Sequence, residues 1–141
     1  MPLVVKLMIL AMACQALLAV IILVLMGRER VPRVMSGEIP MADIAVARDA
    51  YPLKARLLSN NFDNQFQLPV LFYVGCLLAL LTGLTNWPEV LVAWLFVVSR
   101  YVHATIHVTT NRLHARFGAY CFGLVALAIL WLLVLFRLLL S

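Results

Sequence analysis

Four runs of apolar residues, each long enough to cross a bilayer, dominate the sequence. They cover about residues 3–26, 66–84, 88–110 and 119–140, and 65% of the chain is hydrophobic while only 12% is charged. A spanning helix needs about 20 apolar residues, so a chain of 141 residues has room for four spans and no separate soluble domain. Lipid satisfies no backbone hydrogen bonds, so each run must be helical. The sequence therefore predicts an all-α integral membrane four-helix bundle, a single transmembrane domain over 1–141.

The distribution of positive charge between the loops predicts how the bundle lies in the membrane. The long loop at 27–65 carries six Lys or Arg residues and the loop at 110–118 carries two, whereas the loop at 85–87 carries none. The positive-inside rule places the two basic loops in the cytoplasm and both termini on the other side. We expect a protein of a bacterial inner membrane, in contact with membrane lipids. The net charge of +5 is mostly this loop bias and implies no nucleic-acid partner.

A charged residue, Arg100, lies near the middle of the third apolar run. A charge at bilayer depth costs about 2.5 kcal/mol or more, so we expect it to face the bundle interior and to find polar partners. His103, His107, Asn111 and His114 follow at helical spacing and share its face. Such a stripe is a functional-site hypothesis. We also expect Arg100→Leu to destabilise the assembly if the partners of Arg100 are left buried and unpaired.

A second polar stripe precedes the second apolar run. A helical pattern begins at Leu53, before the membrane does, and we expect Pro69 to kink this helix after it enters the bilayer near Phe66. Polar side chains recur on one of its faces at steps of three and four residues: Arg56, Asn60, Asp63 or Asn64, and Gln67. A solvated helix face would show the same pattern. The two stripes lie on the same membrane side, however, so we expect them to meet.

Together the stripes offer arginines, amides, histidines and tyrosines, with Asp63 as the only acidic side chain within reach. Such a pocket suits an anionic, hydrogen-bonding ligand, because guanidinium groups bind carboxylates and amides bind peptide groups. Alternatively, the arginines contact lipid headgroups and the amides tie helices together. His103 and His107 have the i, i+4 spacing of a metal-binding pair, but this spacing alone is a weak indication of a metal site. Nearby arginines repel cations, so we expect no metal site.

These residues resemble the MAPEG family, membrane-associated proteins in eicosanoid and glutathione metabolism. On helix two, Arg56-x3-Asn60-x2-Asp63 is similar to the family's Arg-x3-Asn-x2-Glu motif with Asp in place of Glu, and the following segment 69–73 is similarly rich in proline and aromatic residues. A second register, with Asn60, Asn64 and Gln67 in the Arg, Asn and Glu places, stays open.

The resemblance extends over about residues 54–120. Arg100 matches an arginine on helix three, and Arg116 matches one at the start of helix four. His107 stands where the family has a tyrosine, and Tyr120 follows Arg116 by one helical turn.

The resemblance implies a homotrimer that binds glutathione, as co-substrate, between subunits near the cytoplasmic face. The implied activity is that of a glutathione-dependent membrane transferase or peroxidase acting on lipophilic electrophiles. Arg116, at a helix start where the dipole adds positive potential, would be the catalytic residue that stabilises the thiolate. The alternative is a non-catalytic structural or lipid-binding protein with the same fold. The implied ligand-binding residues are Arg56, Asn60, Asp63, Asn64, Gln67, Arg100, His103, His107 and Tyr120.

Overall fold

The computed structural model describes residues 1–140, and its regular structure is entirely helical. Four stretches are long and apolar enough to cross a membrane: one is Leu53–Leu81, which α2 and α3 share, and the other three are single helices. The predicted all-α class with four membrane-length helices is confirmed. The helices are α1 (Leu3–Met35), α2 (Leu53–Asn64), α3 (Leu68–Leu81), α4 (Trp87–Val108) and α5 (Leu113–Leu140), with a short 3₁₀ helix at Met41–Ile44.

The first helix continues past the apolar run and ends at a glycine turn. Gly37 has a φ of 75°, a conformation that glycine adopts without strain, and its N–H donates to the Val34 carbonyl at 3.1 Å. The chain then folds back on α1, and a small core of Ile39, Tyr51 and Ala55 is buried in this region. The long loop is therefore anchored to the end of α1 by apolar contacts.

The second membrane-length stretch is interrupted where α2 ends and α3 begins. Gln65 follows the last residue of α2, and Pro69 lies in the first turn of α3, where its missing N–H has no helical partner to lose. A kink at Pro69 was expected, and the structure places a full break just before it. The physical reason is that the ring of a proline clashes with the carbonyl four residues earlier, here that of Gln65.

Close packing between α4 and α5 depends on one small residue. A Cβ at Gly123 would lie 2.6 Å from the Ser99 Oγ and 3.9 Å from the Arg100 Cδ. Only glycine therefore lets α5 approach α4 so closely beside Arg100. The aromatic rings of Phe72 on α3 and Phe96 on α4 stack with centroids 4.6 Å apart and join a third helix to this pair.

A buried ion pair closes the end of the bundle that carries the loop at 85–87. Glu89 is 0% exposed, and its carboxylate accepts from the Asn86 N–H and from the Arg137 guanidinium. The Asn86 side chain accepts from the Trp87 N–H at 2.9 Å and also from the Glu89 N–H. Together with the bond from the Asn86 N–H to the Glu89 carboxylate, the Glu89 N–H bond forms a capping box at the start of α4. The one buried carboxylate in this part of the bundle thus belongs to a helix cap, at the opposite end of α4 from His107.

Candidate functional site

A polar cleft opens where the end of α4 and the start of α5 meet α2. Its volume is about 320 Å³, within the range of about 300–1,000 Å³ that is usual for small-molecule sites. Six of the ten residues predicted for the site line this cleft: Asn60, Asn64, His103, His107, Arg116 and Tyr120. Leu113 and Phe117 complete the lining, and no carboxylate contributes to it. The cleft therefore offers hydrogen bonds and positive charge to an anionic ligand.

Two histidines and a tyrosine form its inner wall. His103 and His107 are each 3% exposed, and their rings meet edge to face with centroids 5.6 Å apart. The Tyr120 ring lies 6.1 Å from that of His103. The Nδ1 atoms of both histidines are buried without a hydrogen-bond partner among the described residues. Because buried polar atoms are normally paired, two unpaired imidazole nitrogens mark this wall as a candidate binding site.

Arg116 is held at the cleft by the loop that joins α4 to α5. Its Nη1 donates to the Asn111 Oδ1 at 2.7 Å. Asn111 has a φ of 47°, which asparagine tolerates, and its N–H donates to the Ile106 carbonyl at 2.7 Å at the end of α4. Arg116 lies in the first turn of α5, a turn without acidic residues. The helix dipole and the guanidinium thus add positive potential at the same place.

Arg100 lies behind the cleft and is fully buried, as expected for a charge within an apolar run. It is 0% exposed, and its Nη2 donates to the Asn64 backbone carbonyl at 3.3 Å. Its Nε and Nη1 have no hydrogen-bond partner among the described residues, and no carboxylate in that part of the chain forms an ion pair with it. The sequence predicted polar partners, and the structure supplies one backbone carbonyl.

Next to Arg100, three buried amides that were not predicted from the sequence connect three helices. The Gln15 Nε2 donates to the Gln65 Oε1 at 3.1 Å, and the Gln65 Nε2 donates to the Asn61 Oδ1 at 2.8 Å. The Asn61 Nδ2 then donates to the Ala104 carbonyl at 3.1 Å. The available signals were Gln15 as an isolated amide in an apolar run and the i, i+4 spacing of Asn61 and Gln65. This chain of hydrogen bonds fixes which face of α2 points at α4.

Three other predicted site residues lie outside the cleft. Asp63 accepts from Arg48 at 2.6 and 3.2 Å on the exposed surface, and this pairing raises the pKa of the Arg48 guanidinium above its usual value. Arg56 has its Nη1 4.0 Å from an oxygen of Asp49. Gln67 is exposed in the break between α2 and α3. The structure therefore brings Asn60 and Asn64 to the cleft and turns Asp63 away from it.

Comparison with known proteins gives one match. The model of the MAPEG family matches residues 8–136, nearly the whole chain. No curated protein and no solved structure matches. Among residues 1–140, no group of three His, Cys, Asp or Glu side chains is placed to hold a metal ion.

Proposed function

Because the chain belongs to the MAPEG family of membrane proteins in glutathione and eicosanoid metabolism, we propose that it is a glutathione-dependent membrane transferase or peroxidase acting on lipophilic electrophiles. One observation carries the proposal. A membrane-embedded chain places Arg116, two buried histidines and two asparagines around a single cleft without a carboxylate. That donor set fits a peptide-like anion with a thiol.

The residues of the cleft divide into two roles. Asn60 and Asn64 present amide groups that match the peptide bonds and carboxylates of glutathione. In the proposed complex the thiol lies beside the Arg116 guanidinium, and a nearby cation favours a thiolate over a thiol. Glutathione supplies the nucleophilic sulfur, and the protein orients it and keeps it ionised. His107, in the place of the family's tyrosine, offers a buried hydrogen-bonding group beside Arg116.

The lipophilic substrate has an apolar route to this site. Leu113 and Phe117 line the cleft and are 64% and 65% exposed. These exposed apolar side chains connect the cleft with the surrounding lipid. In conjugation, a bond forms between the glutathione sulfur and the electrophilic carbon, and the leaving group departs with its electron pair.

The proposal is tested by titrating purified wild-type protein with glutathione and recording both binding and thiolate absorbance against pH. We expect saturable binding and a thiolate that persists near neutral pH, well below the ordinary thiol pKa of about 8.5. S-methylglutathione is the matched control, since it keeps the peptide and carboxylate groups and has no ionisable thiol. Binding without a thiolate would contradict catalysis and favour the non-catalytic alternative, and absence of binding would contradict the glutathione site.

We further propose a homotrimer, as the family resemblance implies. Arg100 is already buried within one subunit, so its charge alone does not require a neighbour. The support in the structure is the open side of the cleft, where Asn60 is exposed and Arg116 is partly buried and a second subunit would cover both. Native mass spectrometry in a mild detergent should show a trimer. A stable monomer that still binds glutathione would contradict this assembly.

Both termini are proposed to lie outside the cytoplasm. The support is the loop charge, because the loop between α1 and α2 and the loop between α4 and α5 are basic while that between α3 and α4 is not. The test uses single cysteines at Asn86 and at Ser36 in a variant whose three native cysteines are replaced by alanine. An impermeant thiol reagent added outside intact cells should label the cysteine at 86 and leave the one at 36 unlabelled. The reverse pattern would overturn the orientation.

A further inference from the structure

A second cleft lies where the loop after α1 folds back on the last turns of that helix. Its volume is about 440 Å³, and it shares no lining residue with the cleft of Arg116. Most of its lining is aliphatic or thioether, including Leu23, Met26, Val34, Met41 and Ile44. A polar soluble ligand would leave these groups without favourable contacts. The lining therefore suits a hydrocarbon chain.

A single positive charge, that of Arg30, lies in this apolar cleft. The guanidinium carbon is 4.4 Å from the centroid of the Tyr51 ring, and Nη1 is 3.8 Å from the Met26 sulfur. Tyr51 is only 3% exposed, so its ring is a fixed platform for the cation. The aromatic ring orients the guanidinium without neutralising it.

Two neighbouring cations, Arg33 and Lys54, differ from Arg30 because they are neutralised within the chain. Arg33 pairs with Glu38 at 2.7 Å, and Lys54 pairs with Glu29 at 2.7 Å. Arg30 forms no ion pair with any residue in the range that the structure describes. An oriented but unneutralised guanidinium is a binding group for a phosphate oxygen.

The position of the cleft along α1 indicates where its ligand comes from. Leu23 and Met26 belong to the apolar run, whereas Arg30 and Tyr51 lie in the basic stretch that follows. A ligand here has its hydrocarbon part level with the acyl chains of the membrane and its anionic part level with the headgroups. A soluble anion would contact Arg30 alone, but an anionic membrane lipid satisfies both halves of the site.

We propose that this cleft binds one anionic phospholipid of the surrounding leaflet. Its phosphate contacts Arg30, and one acyl chain packs against Leu23 and Met26. Because the cleft is formed by α1 and the loop together, a bound lipid holds the loop against the helix. Binding to the folded state alone also raises the stability of the protein by mass action.

The experiment adds phosphatidylglycerol or phosphatidylcholine with identical acyl chains to the purified protein in mild detergent. Native mass spectrometry counts the retained lipid, and a thermal melt gives the stabilisation. We expect one phosphatidylglycerol per subunit and a higher Tm, with neither effect from phosphatidylcholine. Arg30→Gln should weaken phosphatidylglycerol binding about tenfold, which corresponds to about 1.4 kcal/mol. Arg28→Gln is the matched control, because this exposed neighbour does not line the cleft and should bind as wild type does.

A second variant tests the hydrocarbon half of the site independently. Gly27 lines the cleft, and a Cβ built there meets nothing within 4 Å, so Gly27→Leu extends into open space. It should fill part of the cleft and reduce lipid retention while Arg30 stays in place. Equal losses in Arg28→Gln and Arg30→Gln would overturn the proposal in favour of a general basic surface. Equal retention of phosphatidylcholine, or the same rise in Tm with inorganic phosphate alone, would also overturn it.

Discussion

Replacing Arg116 with alanine is expected to slow the conjugation of glutathione to a hydrophobic aryl halide by about 10²–10³-fold, the usual effect of removing one preorganised group that stabilises developing or reacting charge. Much of the glutathione affinity should remain, because the side chains of Asn60, Asn64 and His107 still line the cleft. The expected change is therefore mainly in kcat, and it follows from a raised pKa of the bound thiol.

The structure shows why Arg116 is suited to stabilise a thiolate. Its Nη1 donates to the Asn111 Oδ1 at 2.7 Å, so the guanidinium is oriented before a ligand binds. Thiolate absorbance against pH should show a higher thiol pKa in Arg116→Ala than in wild type. Arg112→Ala is the matched control, since Arg112 is an exposed arginine of the loop just before α5 and does not line the cleft. If thiolate forms equally with Arg116→Ala and wild type, Arg116 does not activate the thiol, and His107 becomes the next candidate.

Replacing Arg100 with leucine is expected to raise the melting temperature of the ligand-free protein. From the sequence we expected this replacement to destabilise the assembly, provided that it left the partners of Arg100 buried and unpaired. The structure shows one hydrogen bond to the Asn64 backbone and two guanidinium nitrogens without partners. Burying a charge costs several kcal/mol unless it is well paired, and apolar replacement of buried charges can stabilise by about 1–4 kcal/mol. Arg100 is therefore expected to lower stability.

The same replacement should reduce the response to glutathione. Arg100 fixes the carbonyl of Asn64, whose residue lines the cleft, so Arg100→Leu loosens one wall of the site. The measurement is the Tm with and without glutathione. We expect Arg100→Leu to have a higher Tm than wild type without glutathione and a smaller rise in Tm when glutathione is added. Arg112→Leu serves as the control, because an exposed substitution should change the free energy of unfolding by no more than about 0.5 kcal/mol. A lower Tm for Arg100→Leu, or loss of assembly, would contradict this expectation and show that Arg100 contributes to stability.

The sequence by itself determined the fold class and the burial of Arg100. Both follow from local properties: an apolar run of about 20 residues must cross the bilayer as a helix, and a charge inside such a run must avoid lipid. The four spans, the motif around Arg56 and Asn60, and the arginines at 100 and 116 together indicated the family, which the match over residues 8–136 now shows.

The sequence alone did not show which face of α2 points at the cleft and which points at the core. Polar residues occupy 59–61 and 63–65, which is most of the helix circumference, so no periodicity distinguishes the cleft side from the core side. The packing of α1 and α4 against α2 determines how α2 is rotated. Asn61 and Gln65 belong to the buried chain of amides, and Asn60 and Asn64 line the cleft. Asp63 lies on the outer surface, where it pairs with Arg48.

Only the tertiary structure decided which groups meet Arg100 and where the second apolar stretch breaks. The break between Asn64 and Leu68 places the Asn64 carbonyl where the Arg100 guanidinium can reach it. Gly123 then determines how near α5 can come to the same position on α4. Helix rotation, helix breaks and interhelical distance depend on contacts between residues far apart in the chain. Spacing within one helix shows that a charge must be buried, but contacts with other helices determine its partners.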